Sequence, residues 1–389
     1  MRQDKNKKLN VAILFGGKSG EHEVSIVSAM SVYRALDKSK FDVTLIGIDK
    51  TGRWLAPDQS LLLGQSSNPR FIELNKMAGT ATLIPYESDQ QFLPVTSSVS
   101  GSLAPAAKQN LGPAFDVILP ILHGTFGEDG TMQGLLELAN VPYVGSGVLG
   151  SALGMDKDVS RRLLAAAGIP VVKTKVLIRS EFQKDPNGWI RRMAEEFSYP
   201  HFVKPANAGS SVGVHKVKSL EGALAQYHDA FAFDVKVLVE QAIMARELEV
   251  SVLGNWEPRA SVVGEVIPSH EFYSYEAKYI DENGAQLKIP AENLTDAQKT
   301  KIQEMAVQAF KVLECRGLAR VDFFLDRRTN EIYLNEINTI PGFTNISMYP
   351  KLWEASGLSY SNLLEELIRL ALERHQEKNS LKTTYDSKK

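Results

Sequence analysis

The sequence predicts a mixed architecture, α/β at its N-terminal end and α+β beyond, in three domains with a parallel sheet in the first. Three observations carry that expectation. Residues 10–50 read strand, glycine turn, helix, strand, which is the order of a βαβ unit and hence of a parallel sheet. Residues 319–325 and 331–337 alternate apolar and polar side chains around a polar turn, as an antiparallel hairpin does. A chain of 389 residues is also long enough for two or three domains.

Taken in order, residues 11–15 form an apolar strand, Gly16-Gly17-Lys18-Ser19-Gly20 a turn, residues 24–35 a helix and 43–48 a second strand. Residues 115–122 and 141–144 read as further strands. Residues 87–112, rich in Ser, Pro and Gly, read as a surface excursion without periodicity. A helix is expected over 156–167, ended by Gly168 and Pro170. Strands then alternate with turns at 171–178, 202–204, 212–217 and 235–240. The final helix is expected over 363–375, with Asn362 as N-cap and Glu365 three residues on, before a polar tail.

Composition narrows the function. The chain is 43% hydrophobic and 23% charged, as soluble globular proteins are, and a net charge of −2 points to neither nucleic acid nor an anionic membrane. A single cysteine, Cys315, excludes an intramolecular disulfide framework and a cysteine-based zinc site, and reads as a buried structural residue. The basic N-terminus precedes an apolar run too short for a signal peptide, and no window matches a membrane span, so a cytoplasmic protein is expected.

The hairpin is the most informative segment. Residues two apart on a strand share a face, so Arg320 with Asp322 and Glu336 with Asn338 form two polar pairs. A turn with an odd number of residues brings all four to one face. Carboxylates and an amide oxygen suit Mg²⁺, and the guanidinium suits developing negative charge. The same alternation also suits an exposed, salt-bridged hairpin.

Other segments add chemistry. Gly209, Ser210, Ser211 and Gly213 make a small-residue loop whose N–H groups can approach phosphate, with Lys204 just before it. A surface hairpin would look similar. Gly17-Lys18-Ser19 imitates the end of a phosphate-binding loop, but Ala12 stands where that motif needs glycine, and the dinucleotide fingerprint fails too. The turn still opens a helix N-terminus, where Glu21 can face an ammonium or simply stabilise the first helical turn. His123 follows an apolar strand, at the end where α/β sheets gather ligands. Glu240 closes another apolar strand before Ala242 and Ile243, where an adenine can lie, and Lys278 and Tyr279 fall in an aromatic, charged loop.

Together FGGKSGEHEVS, LHGTFGEDG, GSGVLGSALGMDK, FVKPANAGSSVGV, YEAKY, GLARVDFF and NEINTIPGFT resemble the D-alanine–D-alanine ligases, which are ATP-grasp enzymes. The resemblance covers nearly the whole chain. It implies a three-domain ATP-grasp fold: an N-terminal substrate-binding domain over 1–150, a central domain over 151–240, a C-terminal domain with metal and catalytic residues over 241–375, and a tail over 376–389. It implies ATP as co-substrate, two Mg²⁺ ions (Mn²⁺ as the alternative) on Asp322, Glu336 and Asn338, and a homodimer. Lys157, Lys204, Ser211, Glu240, Ile243, Glu247 and Lys278 are carried over to ATP. Glu21, His123, Arg320, Ser347 and Met348 are carried over to D-alanine. Arg320 and Gly342 face the oxyanion, while Ser210 and Tyr279 bond to each other near Glu21 and latch a lid. Tyr279 also favours the dipeptide over a D-lactate ester. The long 87–112 segment and Asn207-Ala208 depart from the pattern without touching the chemistry. Two alternatives are another ATP-grasp ligase, joining D-lactate or D-serine, and a nucleotide-binding regulator without turnover. A regulator is expected to lack a metal ligand or Arg320, and none is missing.

Overall fold

The computed structural model describes residues 7–55, 61–62, 73–74, 80–85, 91–95, 114–268 and 285–382. The N-terminal βαβ unit is present: β1 (Leu9–Gly16), α1 (His22–Ala35) and β2 (Phe41–Ile48), with β1 and β2 parallel. Val11 to Phe15 are fully buried, as a parallel strand covered on both faces must be. The turn after β1 requires glycine: Gly16 has φ +89°, and a Cβ there would collide with the Ile48 carbonyl oxygen.

Two small antiparallel pairs follow, β3 (Leu61–Leu62) with β4 (Glu73–Leu74) and β5 (Thr80–Leu83) with β6 (Phe92–Val95). The strand β6 corrects the expectation of an aperiodic excursion over 87–112. Phe92 is buried among Trp54 and Phe115, so this part of the segment is anchored to the core. Residues 86–90 and 96–113 lie outside the described ones. The strand β7 (Val117–Ile121) completes a parallel sheet in the order β2-β1-β7. Residues 141–144 are not a strand but one parallel bridge, Ile118 to Tyr143. Pro142 has no N–H to extend the ladder.

The helices α2 (Thr131–Leu138), α3 (Val148–Met155) and α4 (Lys157–Ala166) lead out of this sheet. Asp156 caps α4, its carboxylate accepting from the N–H groups of Asp158 and Val159. The second sheet has the order β10-β9-β11-β8, with β8 (Thr174–Ile178), β9 (His201–Pro205), β10 (His215–Val217) and β11 (Lys236–Gln241) antiparallel. The expected strand over 212–217 shrinks to β10 because Ser210, Ser211 and Gly213 have positive φ and coil the preceding loop. A short α5 (Arg179–Phe182) and two longer helices, α6 (Pro186–Phe197) and α7 (Ala223–Phe233), accompany the sheet; Ile190, Met193, Tyr227 and Phe231 fill its core. The sequence reading has only turns here, although Asp185 before Pro186 is a start signal for α6.

The third sheet is antiparallel: β12 (Ala245–Gly254), β13 (Arg259–Ala260), β14 (Gly264–Pro268), β15 (Ala285–Lys288), β16 (Gly317–Asp326) and β17 (Ile332–Asn338). One face packs on α8 (Asp296–Val312), where Val250, Val321, Phe323 and Ile337 meet Ile302 and Phe310. The other face is polar and borders the cleft against the second sheet. After α9 (Met348–Ala355), the final helix α10 runs Tyr360–Asn379. Its N-cap is Ser359, not Asn362: the Ser359 hydroxyl accepts from the Asn362 N–H. The helix also extends beyond the expected end, so residues 376–379 are helical rather than tail. Leu363, Leu367 and Ile368 of α10 share one core with Val11 and Ile13 of β1.

Candidate active site

The hairpin does bring its polar residues to one face, by a route the sequence reading did not foresee. Asp326 N–H bonds to the Glu331 carbonyl, which leaves the even-numbered loop 327–330. Phe323 pairs with Leu334, yet Asp322 pairs with Glu336 and Arg320 with Asn338, so the register shifts by one residue at Asn335. An even loop plus a one-residue bulge has the parity of an odd loop. The bulge is held by Arg161, whose Nη2 donates to Asn335 O (3.3 Å) and Oδ1 (3.2 Å). Its Nη1 bonds Thr174 Oγ1 at 2.6 Å and lies 2.5 Å from Glu240 Oε1. Sequence reasoning missed Arg161. The available signal was its i,i+4 spacing from Lys157, which puts both on one face of α4.

Arg320 forms a two-pronged bond with Asp322, Nε and Nη2 each at 2.7 Å from a carboxylate oxygen. Burial opposes its charge, and Asp322 and Glu249 overcome that, so its pKa is raised above the ordinary arginine value. Asn338 Nδ2 donates to Asp322 Oδ2 at 3.0 Å. Opposite, Lys204 reaches in from β9 and Lys157 from the start of α4. Lys204 Nζ lies 2.8 Å from Glu240 Oε1; Lys157 Nζ donates to Ala208 O at 2.8 Å and lies 3.5 Å from Glu336 Oε2. Burial would raise the Glu240 carboxyl, but Arg161 and Lys204 outweigh it and hold it below its ordinary value.

A cleft of about 650 Å³ opens between the two sheets, and Lys204, Ser211, Ile243, Glu247, Glu336 and Asn338 are among its walls. Glu21 sits at the start of α1 and accepts a hydrogen bond from Ser210 Oγ of the glycine loop. Two glycines make room: a Cβ on Gly124 or Gly209 would lie 2.8 or 2.7 Å from Glu21 Oε2. Lys278 and Tyr279 lie outside the described residues.

His123 is buried, with Nδ1 bonding Ile340 O (3.0 Å) and Nε2 facing Ser28 Oγ (3.2 Å). Burial lowers its pKa, and a neutral ring that donates through Nδ1 fits both contacts. Glu128, which sequence reasoning missed, accepts from Gly124 N–H (2.8 Å) and Ile340 N–H (3.3 Å). Burial and then the charge of Glu21 push its pKa up to about 8. Thus His123 and Glu128 grip both sides of the Ile340 backbone, just before Gly342. Ser347 precedes α9 without a side-chain capping bond; its hydroxyl bonds the Thr344 N–H and hydroxyl, and a Cβ on Gly342 would lie 3.1 Å from Ser347 Oγ. Met348 packs its side chain with Val266 and Leu352.

The lysine wall has a testable pH dependence. Burial, with Arg161 next, lowers Lys204 to about 8 despite Glu240. Its positive charge is present below that pH and lost above it. The KM for ATP is therefore expected to rise between pH 8 and 9. Lys204→Arg, which stays charged, flattens that rise.

The donor set fits a hard divalent ion. Asp322, Glu336 and Asn338 supply only oxygen and amide ligands, and Glu249, Asp322 and Glu336 stand directly across from one another on β12, β16 and β17. Arg320 pairs with Asp322 and Glu249 in this row, and Lys157 lies 3.5 Å from Glu336.

A cleft between two antiparallel sheets, lysines on one wall and acidic groups with an arginine on the other, defines an ATP-grasp enzyme. Residues 10–146 match the family model "D-ala D-ala ligase N-terminus" and residues 163–369 match "D-ala D-ala ligase C-terminus". This chain belongs to the D-alanine–D-alanine ligase family. It is 52% identical to the D-alanine–D-alanine ligase of Oceanobacillus iheyensis over 97% of this chain and 99% of that one. With D-alanine–D-alanine ligase A of Escherichia coli the figures are 49%, 97% and 100%. Among solved structures, the D-alanine–D-alanine ligase from Coxiella burnetii superposes with a TM-score of 0.77 at 37% identity, covering 96% of both chains. The VanG D-Ala:D-Ser ligase from Enterococcus faecalis gives 0.75 at 34% identity, covering 94% of this chain and 100% of that one. Among the described residues no helix is long and apolar enough to cross a membrane.

Proposed function

We propose that this chain joins two D-alanines into D-alanyl-D-alanine at the expense of ATP, for peptidoglycan synthesis. Glu21, buried between Gly124 and Gly209 and bonded to Ser210, is the observation that carries the reading, because a carboxylate there can receive an amino-acid ammonium beside the phosphate loop. The carboxylate of the first D-alanine attacks the γ-phosphorus of ATP, ADP leaves, and an acyl phosphate results. The amine of the second attacks that carbonyl, loses a proton and expels phosphate. The first step brings two anions together, and the second builds negative charge on the carbonyl oxygen and the leaving phosphate, so the residues must neutralise charge.

Lys157 and Lys204 take the phosphates, with Ser211 in the loop above them and Lys278 as a further contact. Ile243 and Glu247 line the adenosine end; Glu240 acts there while setting Lys204. Arg320 and the Gly342 N–H face the carbonyl oxygen as it gains charge. Ser347 and the backbone of Met348 receive the second D-alanine. His123 and Glu128 hold the loop that carries Gly342. Asp322, Glu336 and Asn338 would hold two Mg²⁺ or Mn²⁺ ions, which supply charge neutralisation of the phosphates. Tyr279, which lies outside the described residues, is carried over from the family pattern as the residue that excludes water from the acyl phosphate. The working form is a cytoplasmic homodimer.

The test is phosphate release with ATP, Mg²⁺ and D-alanine, repeated with L-alanine, D-serine and D-lactate. D-alanine alone should support turnover and give the dipeptide. Predominant mixed product with D-serine or D-lactate would move the chain to the alternative ligases. ATP binding without any turnover would make it a regulator.

A further inference from the structure

Glu249 belongs to none of the ligand, phosphate or substrate sets above. It stands on β12 directly across from Asp322, which stands across from Glu336. Like charges so placed repel, and nothing about sheet stability favours keeping the third one. Its place is explained by Arg320, one row along: Nε lies 2.9 Å from Glu249 Oε2 and Nη2 lies 2.7 Å from Asp322 Oδ2. Ser251, the β12 residue across from Arg320, gives its hydroxyl to Tyr349 O at 3.1 Å. The β12 group that meets the guanidinium is therefore Glu249.

Resting on the ligase reading, we propose that Glu249 is the positioning residue for Arg320, holding its guanidinium in place while Asp322 serves the metal. A carboxylate that divides its oxygens between an arginine and a divalent ion fixes neither well. Asp322 gives both of its oxygens to Arg320, and Glu249 adds an ion-pair contact at Nε from β12, so the arginine keeps an anchor when an ion draws on Asp322. Glu249 touches neither substrate nor ion and acts through Arg320.

The test uses the full-length protein with Glu249→Gln, which keeps shape and one acceptor oxygen but loses the charge. Turnover, the KM for ATP, Mn²⁺ binding by paramagnetic resonance, and thermal melting are measured. The expected result is a fall in kcat of about tenfold, with the KM for ATP and the Mn²⁺ affinity each within about threefold. In an Arg320→Ala background the same change should cost nothing more, as coupling through one group requires. An unchanged kcat overturns the proposal. So does Mn²⁺ affinity about tenfold weaker, which makes Glu249 an ion ligand, or a full additional loss in the double variant. Failure of the ligase reading shows separately, as an unmutated protein that releases no phosphate with D-alanine, and this proposal then falls with it.

Discussion

Arg320→Ala is expected to lower kcat about a hundredfold or more, roughly 3 kcal/mol, while the KM for ATP moves little. The guanidinium is anchored by Asp322 and Glu249 on the sheet face. Its main effect falls where negative charge grows on the carbonyl oxygen, which happens in the transition state rather than on binding ATP. Arg320→Lys should rescue poorly, because a point ammonium cannot reproduce two bonds to Asp322 and still reach the substrate. Steady-state phosphate release, with ATP and D-alanine varied separately, checks this. A variant with normal kcat would remove Arg320 from the chemistry.

The second large effect is expected of Asp322→Asn. This change keeps the shape but removes a charge from the middle of the Glu249–Asp322–Glu336 row. Turnover should fall about a hundredfold and Mn²⁺ affinity about tenfold, because a hard cation loses an anionic ligand and Arg320 loses its paired partner. Tm should not fall, since relieving like charges across a sheet offsets the lost arginine pair. Calorimetric Mn²⁺ titration with melting curves separates the two effects. Normal ion affinity would exclude Asp322 as a ligand, and a sharp drop in Tm would make its role structural.

Much of this was legible in the chain, because the informative residues lie in short, contiguous segments. The period-two pattern around Arg320 and Asp322 survives any context, and the glycine turn after Phe15 is set by local backbone geometry. The parts that were not legible depend on contacts distant in sequence. Nothing about Asn335 marks it as a bulge; Arg161, far away in sequence on α4, holds it there. Glu128 looks like a loop acid until Ile340 and Gly124 close on it. The helix α3 was missed because its glycines argue against a helix. They are there for close approach: a Cβ on Gly150 would lie 2.6 Å from Glu314 O, and one on Gly154 would lie 2.8 Å from Thr339 Cγ2. The strand β6 and the true start of α10 were lost to composition, since a Ser- and Pro-rich stretch hides Phe92 and Ser359 competes with Asn362 as a cap.

The sharing of one core between β1 and α10 has a consequence for biosynthesis. Val11 and Ile13 leave the ribosome about 350 residues before Leu363, Leu367 and Ile368, which pack with them. Domains usually fold in the order of their synthesis. Here the first sheet must wait, with part of its apolar face uncovered, until α10 has emerged. The nascent protein therefore presents a sticky surface until α10 is made, and ribosomes stalled before the codon for Tyr360 should carry a β1 region that proteases cut and chaperones hold.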